Sequence, residues 1–184
     1  MIAIMTEKRI TWIDAETNGL DPESNVLLEV ACLITDGDLN ILDETGYTAT
    51  VLYDEASRDA LKSVTDPYVQ DMHTKTGLWD RLLTGKPLET VDSELLSYIQ
   101  QYVPEPGVSW LGGNSITLDR GFLKKYAPST FKHLHYRSHD VTTIAGLAEE
   151  WYGVTYQKKT AHNAMSDILE SIEELRFLRK KVFK

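Results

Sequence analysis

The order of the apolar periodicities most constrains the fold. Three strand-like runs fill the first third of the chain, at 8–16, 26–36 and 40–52. The last two are joined by "TDGDLN", a stretch of turn formers that suits an antiparallel connection. Helical patterns dominate afterwards. In residues 90–102, Val91, Leu95, Tyr98, Ile99 and Tyr102 share one face. A short strand "VSWLGG" follows Pro106-Gly107, and helices are predicted near 116–126, 141–152 and 163–182. In the last of these Ala164, Ile168, Ile172, Leu175, Leu178 and Val182 form a core-facing stripe. Strands first, then helices around a returning strand, predict an α/β fold with a mixed sheet flanked by helices. The segment 53–90 is the least legible: "DPYVQDMHTKTGLWDRLL" looks helical but is broken by Pro67, Gly77, Gly85 and Pro87.

A chain of 184 residues with 42% hydrophobic content is long enough for one core, so residues 1–184 are expected to form a single domain. The lone Cys32 rules out a disulfide within the chain and is expected in the core. With no apolar run near the ~18 residues of a membrane span, no membrane association and a cytoplasmic location are expected. The net charge of −9, without a basic stripe, argues against tracking along a polynucleotide. It leaves open a short anionic substrate held by an arginine and cations.

The first run ends in "TWIDAETNGLD". Side chains two apart on a strand point the same way, so Asp14 and Glu16 share a face at the end of a buried strand. Alone, such a pair is equally at home in solvent. Two further segments bear on it. In "GGNSITLDRGFLKKY" (112–126) Ser115 is a helix N-cap by pattern, Leu118, Phe122 and Tyr126 mark the buried face, and Asp119 falls in the first turn. Asp119 then either complements the helix dipole or aims at the first pair. In "TAHNAMSDILESIEEL" (160–175), His162 and Asp167 would stand about 140° apart on one continuous helix. They converge only if His162 precedes the helix and Asp167 lies on its first turns.

Together these residues supply four carboxylates and a histidine, a set that suits phosphodiester hydrolysis with two divalent cations. Hard cations take oxygen ligands, and a histidine near its working pH can accept a proton from an attacking water. Cations between the carboxylates would relieve the repulsion of placing them side by side.

D-x-E early, Asp in the middle and H-x4-D late resemble the DEDDh class of 3′→5′ exonucleases, which has an RNase H-like fold. Within it the chain is most similar to the oligoribonuclease family, from about Lys8 to the C-terminus. The segments that carry the resemblance are "WIDAETNGLDP", "GNSITLDRGFLKKYAP", "HYRSHDVTTI" and "TAHNAMSDILESIEELRFLR".

The resemblance implies Asp14, Glu16, Asp119 and Asp167 as ligands of two Mg²⁺ or Mn²⁺ ions and His162 as general base. It also implies Leu20 as an apolar wedge against the bases, Tyr68 as a stacking aromatic where the family usually has Trp, and His73 near the scissile end. Ser115, Arg137 and Thr142 match a cap for a 5′ phosphate, and Tyr136 matches a residue donated across a homodimer interface. The expected activity is removal of nucleoside 5′-monophosphates from short single-stranded RNA, down to dinucleotides. The first motif departs from the family, reading D-A-E-T-N-G-L for the usual D-L-E-M-T-G-L. That form is similar to DEDDh enzymes at large, so a DNA exonuclease with a proofreading or repair role is the alternative. A catalytically idle RNase H-like binding module is disfavoured, because all five reactive residues are present.

Overall fold

β1 (Arg9–Thr17) runs through the centre of a five-stranded sheet in the computed structural model, which describes residues 8–158 and 163–183. β2 (Leu27–Asp36) pairs antiparallel with one edge of β1, and β3 (Tyr47–Thr50) pairs antiparallel with β2. On the other edge β4 (Trp110–Gly113) and β5 (Ser138–Asp140) run parallel to β1, giving the order β3-β2-β1-β4-β5. β2 reads as a near-continuous apolar run because both its faces are covered.

Eight α-helices lie among the described residues. α1 (Glu55–Val64), α2 (Pro67–Lys75) and α3 (Leu78–Arg81) follow β3, and α4 (Leu88–Tyr102) leads to β4. α5 (Thr117–Tyr126) and α6 (Pro128–His133) join β4 to β5, and α7 (Val141–Tyr152) and α8 (Ala164–Val182) end the fold. Alternation along β1 builds a core on each face. Ile13 packs with Val30, Cys32 and Ile34 against Leu95, Ile99 and Phe122 of α4 and α5. Ile10 and Trp12 pack with Ala31 and Leu33 against Ile168, Ile172 and Leu178 of α8. The mixed sheet flanked by helices is as expected, and Cys32 is fully buried.

Two sequence expectations are corrected, the third strand and the Ser115 cap, and the broken helical reading of 53–90 is resolved into pieces. The third strand is four residues long, with only isolated bridges at Ile41 and Val51, because Asp43 turns the chain by accepting from the Thr45 and Gly46 amides. The segment 53–90 is helical in short pieces. Asp54 and Asp66 cap α1 and α2 through their side chains, Pro67 opens α2, and Gly77 takes the left-handed turn before α3. Ser115 does not cap α5: Ile116 holds that position, and Ser115 turns its amide and hydroxyl toward Thr142. β5 and α6 were not anticipated. No helix among the described residues is long and apolar enough to cross a membrane.

Candidate active site

Asp14 and Glu16 extend the Ile10–Trp12 row of β1 beyond the end of the core, on the face that carries α8. That parity brings them to Asp167, in the first turn of α8. Oxygens of Asp14, Glu16 and Asp167 all lie within 4.8 Å of one another. α8 can start here because Asn163 caps it, accepting the Ser166 amide at 3.4 Å. Asp119 reaches the same place from the opposite side of the sheet. It lies buried in the first turn of α5, and its Oδ1 accepts the Ala15 backbone N–H at 3.0 Å, between the two β1 carboxylates. Asp119 thus stands beside the trio rather than in it. The turn into α5 is tight: a Cβ on Gly113 would lie 2.8 Å from Ile116 Cγ2.

These groups strain one another electrically. Burial, and then the charges of Asp119, Glu16 and Asp167, push Asp14 well above the usual carboxylate range. Burial, Asp167 and Glu29 push Glu16 to about 8. Burial raises Asp119 to about 7, against the lowering effect of its bond to Ala15. Burial and mutual repulsion both favour the protonated forms of Asp14, Glu16 and Asp119. An all-oxygen donor set with excess negative charge fits a hard divalent cation. The four carboxylates therefore arrive together as the sequence predicted, and His162 lies outside the described residues.

The other predicted positions fall into four groups. Leu20 and Tyr68 stand in solvent, 77% and 68% exposed, and provide unpaired apolar surface. His73 is fully buried: its Nε2 bonds the Thr17 carbonyl at 2.8 Å and its Nδ1, with no hydrogen-bond partner, lies 3.9 Å from Glu16 Oε2. Burial lowers its pKa, so the ring is neutral near pH 7 and Nδ1 is a bare acceptor. Ser115 and Thr142 meet, with the Ser115 amide 3.0 Å and its hydroxyl 3.2 Å from Thr142 Oγ1. Arg137 is laid over the Trp110 and Tyr136 rings, 5.6 and 5.4 Å from their centroids, and Tyr136 is 74% exposed.

Glu29 was missed. It sits directly across from Glu16 in the β1–β2 ladder and is buried. Arg81 neutralises it at 2.8 Å, and Thr50 Oγ1 donates to the same oxygen at 2.8 Å. The signal was present: a single glutamate inside "VLLEVACLIT" has no place in a two-faced apolar strand unless it is paired.

An exonuclease family model, RNase_T, matches residues 11–175. The chain is 39% identical over 179 residues to an oligoribonuclease of Streptomyces avermitilis, covering 95% of this chain and 87% of that one. It is 41% identical over 182 residues to the mitochondrial oligoribonuclease of Homo sapiens, covering 96% and 74%. Among solved structures, exonuclease I from Methylocaldum szegediense superposes with a TM-score of 0.69 at 17% identity. E. coli exonuclease I in complex with a dA16 oligonucleotide gives 0.68 at 14% identity. Each match covers 96% of this chain and 41% of the other, so this chain spans about two fifths of those structures. The likeness to them is one of fold, the RNase H-like arrangement.

Proposed function

This chain belongs to the oligoribonuclease family of RNase T-type exonucleases, and from that membership we propose a mechanism in which it removes nucleoside 5′-monophosphates from the 3′ end of short RNAs. The observation that carries the reading is the meeting of Asp14, Glu16 and Asp167 within 4.8 Å, with Asp119 bonded between the first two. These four carboxylates would hold two divalent cations, Mg²⁺ or Mn²⁺. Such ions supply charge neutralisation for an in-line displacement at phosphorus.

The remaining roles belong to the chain. His162, one residue before the Asn163 cap of α8, takes the proton of the attacking water. Leu20 and Tyr68 clamp the bases, a sequence-tolerant contact supported by their exposure. His73 backs Glu16 from beneath. Ser115, Thr142 and the Arg137 guanidinium form the cap for a terminal 5′ phosphate, which a forked donor suits. Tyr136 projects from the molecule toward a second copy in a homodimer, a reading its exposure supports. The cytoplasm, a reducing compartment, suits the buried free thiol of Cys32.

The test is product analysis on end-labelled RNA and single-stranded DNA of equal short length, with and without EDTA. Stepwise 5′-monophosphate release from RNA, abolished by EDTA, is expected. His162→Ala should lower turnover by roughly 10²–10⁴-fold while substrate still binds. Faster cleavage of DNA, or undiminished cleavage in EDTA, contradicts the reading.

A further inference from the structure

A chain of polar contacts runs from α8 to the Ser115–Thr142 pair. Lys158 Nζ lies 2.9 Å from Glu174 Oε2, and Glu174 is only 4% exposed. The same oxygen accepts from Asn114 Nδ2 at 3.2 Å, and Nδ2 also donates to Ser171 Oγ at 2.7 Å. On the far side of the amide, Thr142 Oγ1 donates to Asn114 Oδ1 at 2.9 Å. Thr142 Oγ1 in turn accepts the Ser115 backbone N–H at 3.0 Å and lies 3.2 Å from Ser115 Oγ. Ser115 itself is held at φ +52°, a left-handed conformation that a serine adopts only against a cost.

The direction of this chain follows from donor and acceptor chemistry. Paired with an ammonium, the Glu174 carboxylate offers acceptors only, and the Ser171 hydroxyl, which donates to the Asp167 carbonyl at 2.8 Å, likewise accepts, so the amide turns its NH₂ toward both. Asn114 then presents its oxygen to Thr142, and an amide oxygen also only accepts. The single hydroxyl proton of Thr142 is therefore committed to Asn114. What Thr142 has left for Ser115 is lone pairs, one of which takes the Ser115 amide. The other faces the Ser115 hydroxyl at 3.2 Å, so Ser115 is the donor in that contact, and its proton is the one of the pair that can exchange Thr142 for an incoming phosphate oxygen.

We infer that Glu174, anchored by Lys158, is a positioning residue for recognition of the substrate's 5′ phosphate: together with Ser171 it holds the way the Asn114 amide faces, and so makes the Ser115 hydroxyl the proton of the Ser115–Thr142 pair that can be turned to that phosphate. The inference rests on the proposed 5′-phosphate cap. In it Thr142 serves the cap from behind, and Ser115 makes the contact. Glu174 acts through Asn114 and touches no substrate.

The readout is the ratio of kcat/KM for a 5′-phosphorylated RNA dinucleotide to that for its 5′-hydroxyl counterpart. Glu174→Ala should lower this ratio roughly ten-fold or more, chiefly through KM for the phosphorylated substrate. Glu174→Gln, which can still turn an oxygen toward the amide, should keep most of it. Lys158→Met removes only the anchor and should lower the ratio in the same direction, which serves if Glu174→Ala fails to fold. A wild-type preference that survives both Glu174→Ala and Lys158→Met overturns the inference and leaves the cap standing. So does a parallel loss on both substrates, the mark of a purely structural role. A wild-type enzyme indifferent to the 5′ phosphate overturns the cap and the inference together.

Discussion

Four carboxylates converge at one end of β1, Glu16 and Asp119 among them buried, and their protons are the first consequence. Glu16 is raised to about 8, Asp119 to about 7, and Asp14 well above its ordinary range. In an unfolded chain such groups titrate near 4. Between those values the folded metal-free protein keeps protons that the unfolded chain has released. Their contribution to stability is thus full below about pH 4 and is lost as the pH rises toward 8. His73, its pKa lowered, works the other way as the pH rises through about 6.5, one group against three. In EDTA the melting temperature should fall from pH 5 to pH 8 by about 5 °C or more, and Mg²⁺ should restore most of the loss at pH 8. A melting temperature that climbs over that interval in EDTA contradicts the account. Asp14→Asn removes one of the repelling charges. It should raise the metal-free melting temperature at pH 8 by a few degrees, abolish the response to Mg²⁺, and abolish turnover. At this scale the sequence was legible where spacing and element coincide, as with Asp14 and Glu16 on one strand face. Glu174 was not, because in "ESIEEL" it reads as one more solvated acid. Its partners Asn114 and Lys158 are distant in sequence, beyond any local pattern.

α8, β1 and β2 were readable because their apolar patterns are long and unbroken. The stripe from Ala164 to Leu178 is buried as the spacing predicts, and it places Asp167 against β1. Short elements were not readable. α1 to α3 each lack the length for a period to show, and β5, three residues long, is a strand only because β4 pairs with it. The α2–α3 unit is instead held by charge. Arg81 Nη2 bonds Glu29 at 2.8 Å while Nη1 bonds the Thr76 carbonyl at the end of α2 at 2.7 Å. One guanidinium therefore ties the helix bearing Tyr68 and His73 to the strand opposite Glu16. Arg81→Ala should destabilise the protein by about 2–3 kcal/mol, below the 3–5 of a fully buried pair because Arg81 is 39% exposed. Adding Glu29→Gln should recover much of that loss, since no unpaired buried charge remains. Chemical denaturation of the single and double variants measures both effects, and an Arg81→Ala variant as stable as wild type contradicts the role.

At the scale of the whole molecule, the mixed sheet sets the geometry of the site. Antiparallel β2 faces Glu29 onto Glu16 across the ladder, and parallel β4 delivers α5 and Asp119 to the end of β1 from the other side. The Ser115–Thr142 pair closes the same end, where the turn after β4 meets the start of α7. A surface with net charge −9 offers no long basic track to hold a polynucleotide. In the proposed reading, recognition is left to one phosphate cap, two exposed apolar side chains and the cations. Such a site should favour substrates whose 5′ phosphate lies one step from the scissile bond, because an internal phosphodiester there carries less charge and brings an extra nucleotide. The direct measurement is the rate of 5′-monophosphate release from 5′-phosphorylated RNAs of two to about twenty nucleotides, at matched concentration in Mg²⁺. The account predicts the highest kcat/KM for the dinucleotide, falling steeply with length and collapsing to the level of longer strands in Arg137→Ala. A wild-type enzyme that degrades the twenty-nucleotide strand as efficiently as the dinucleotide would contradict it.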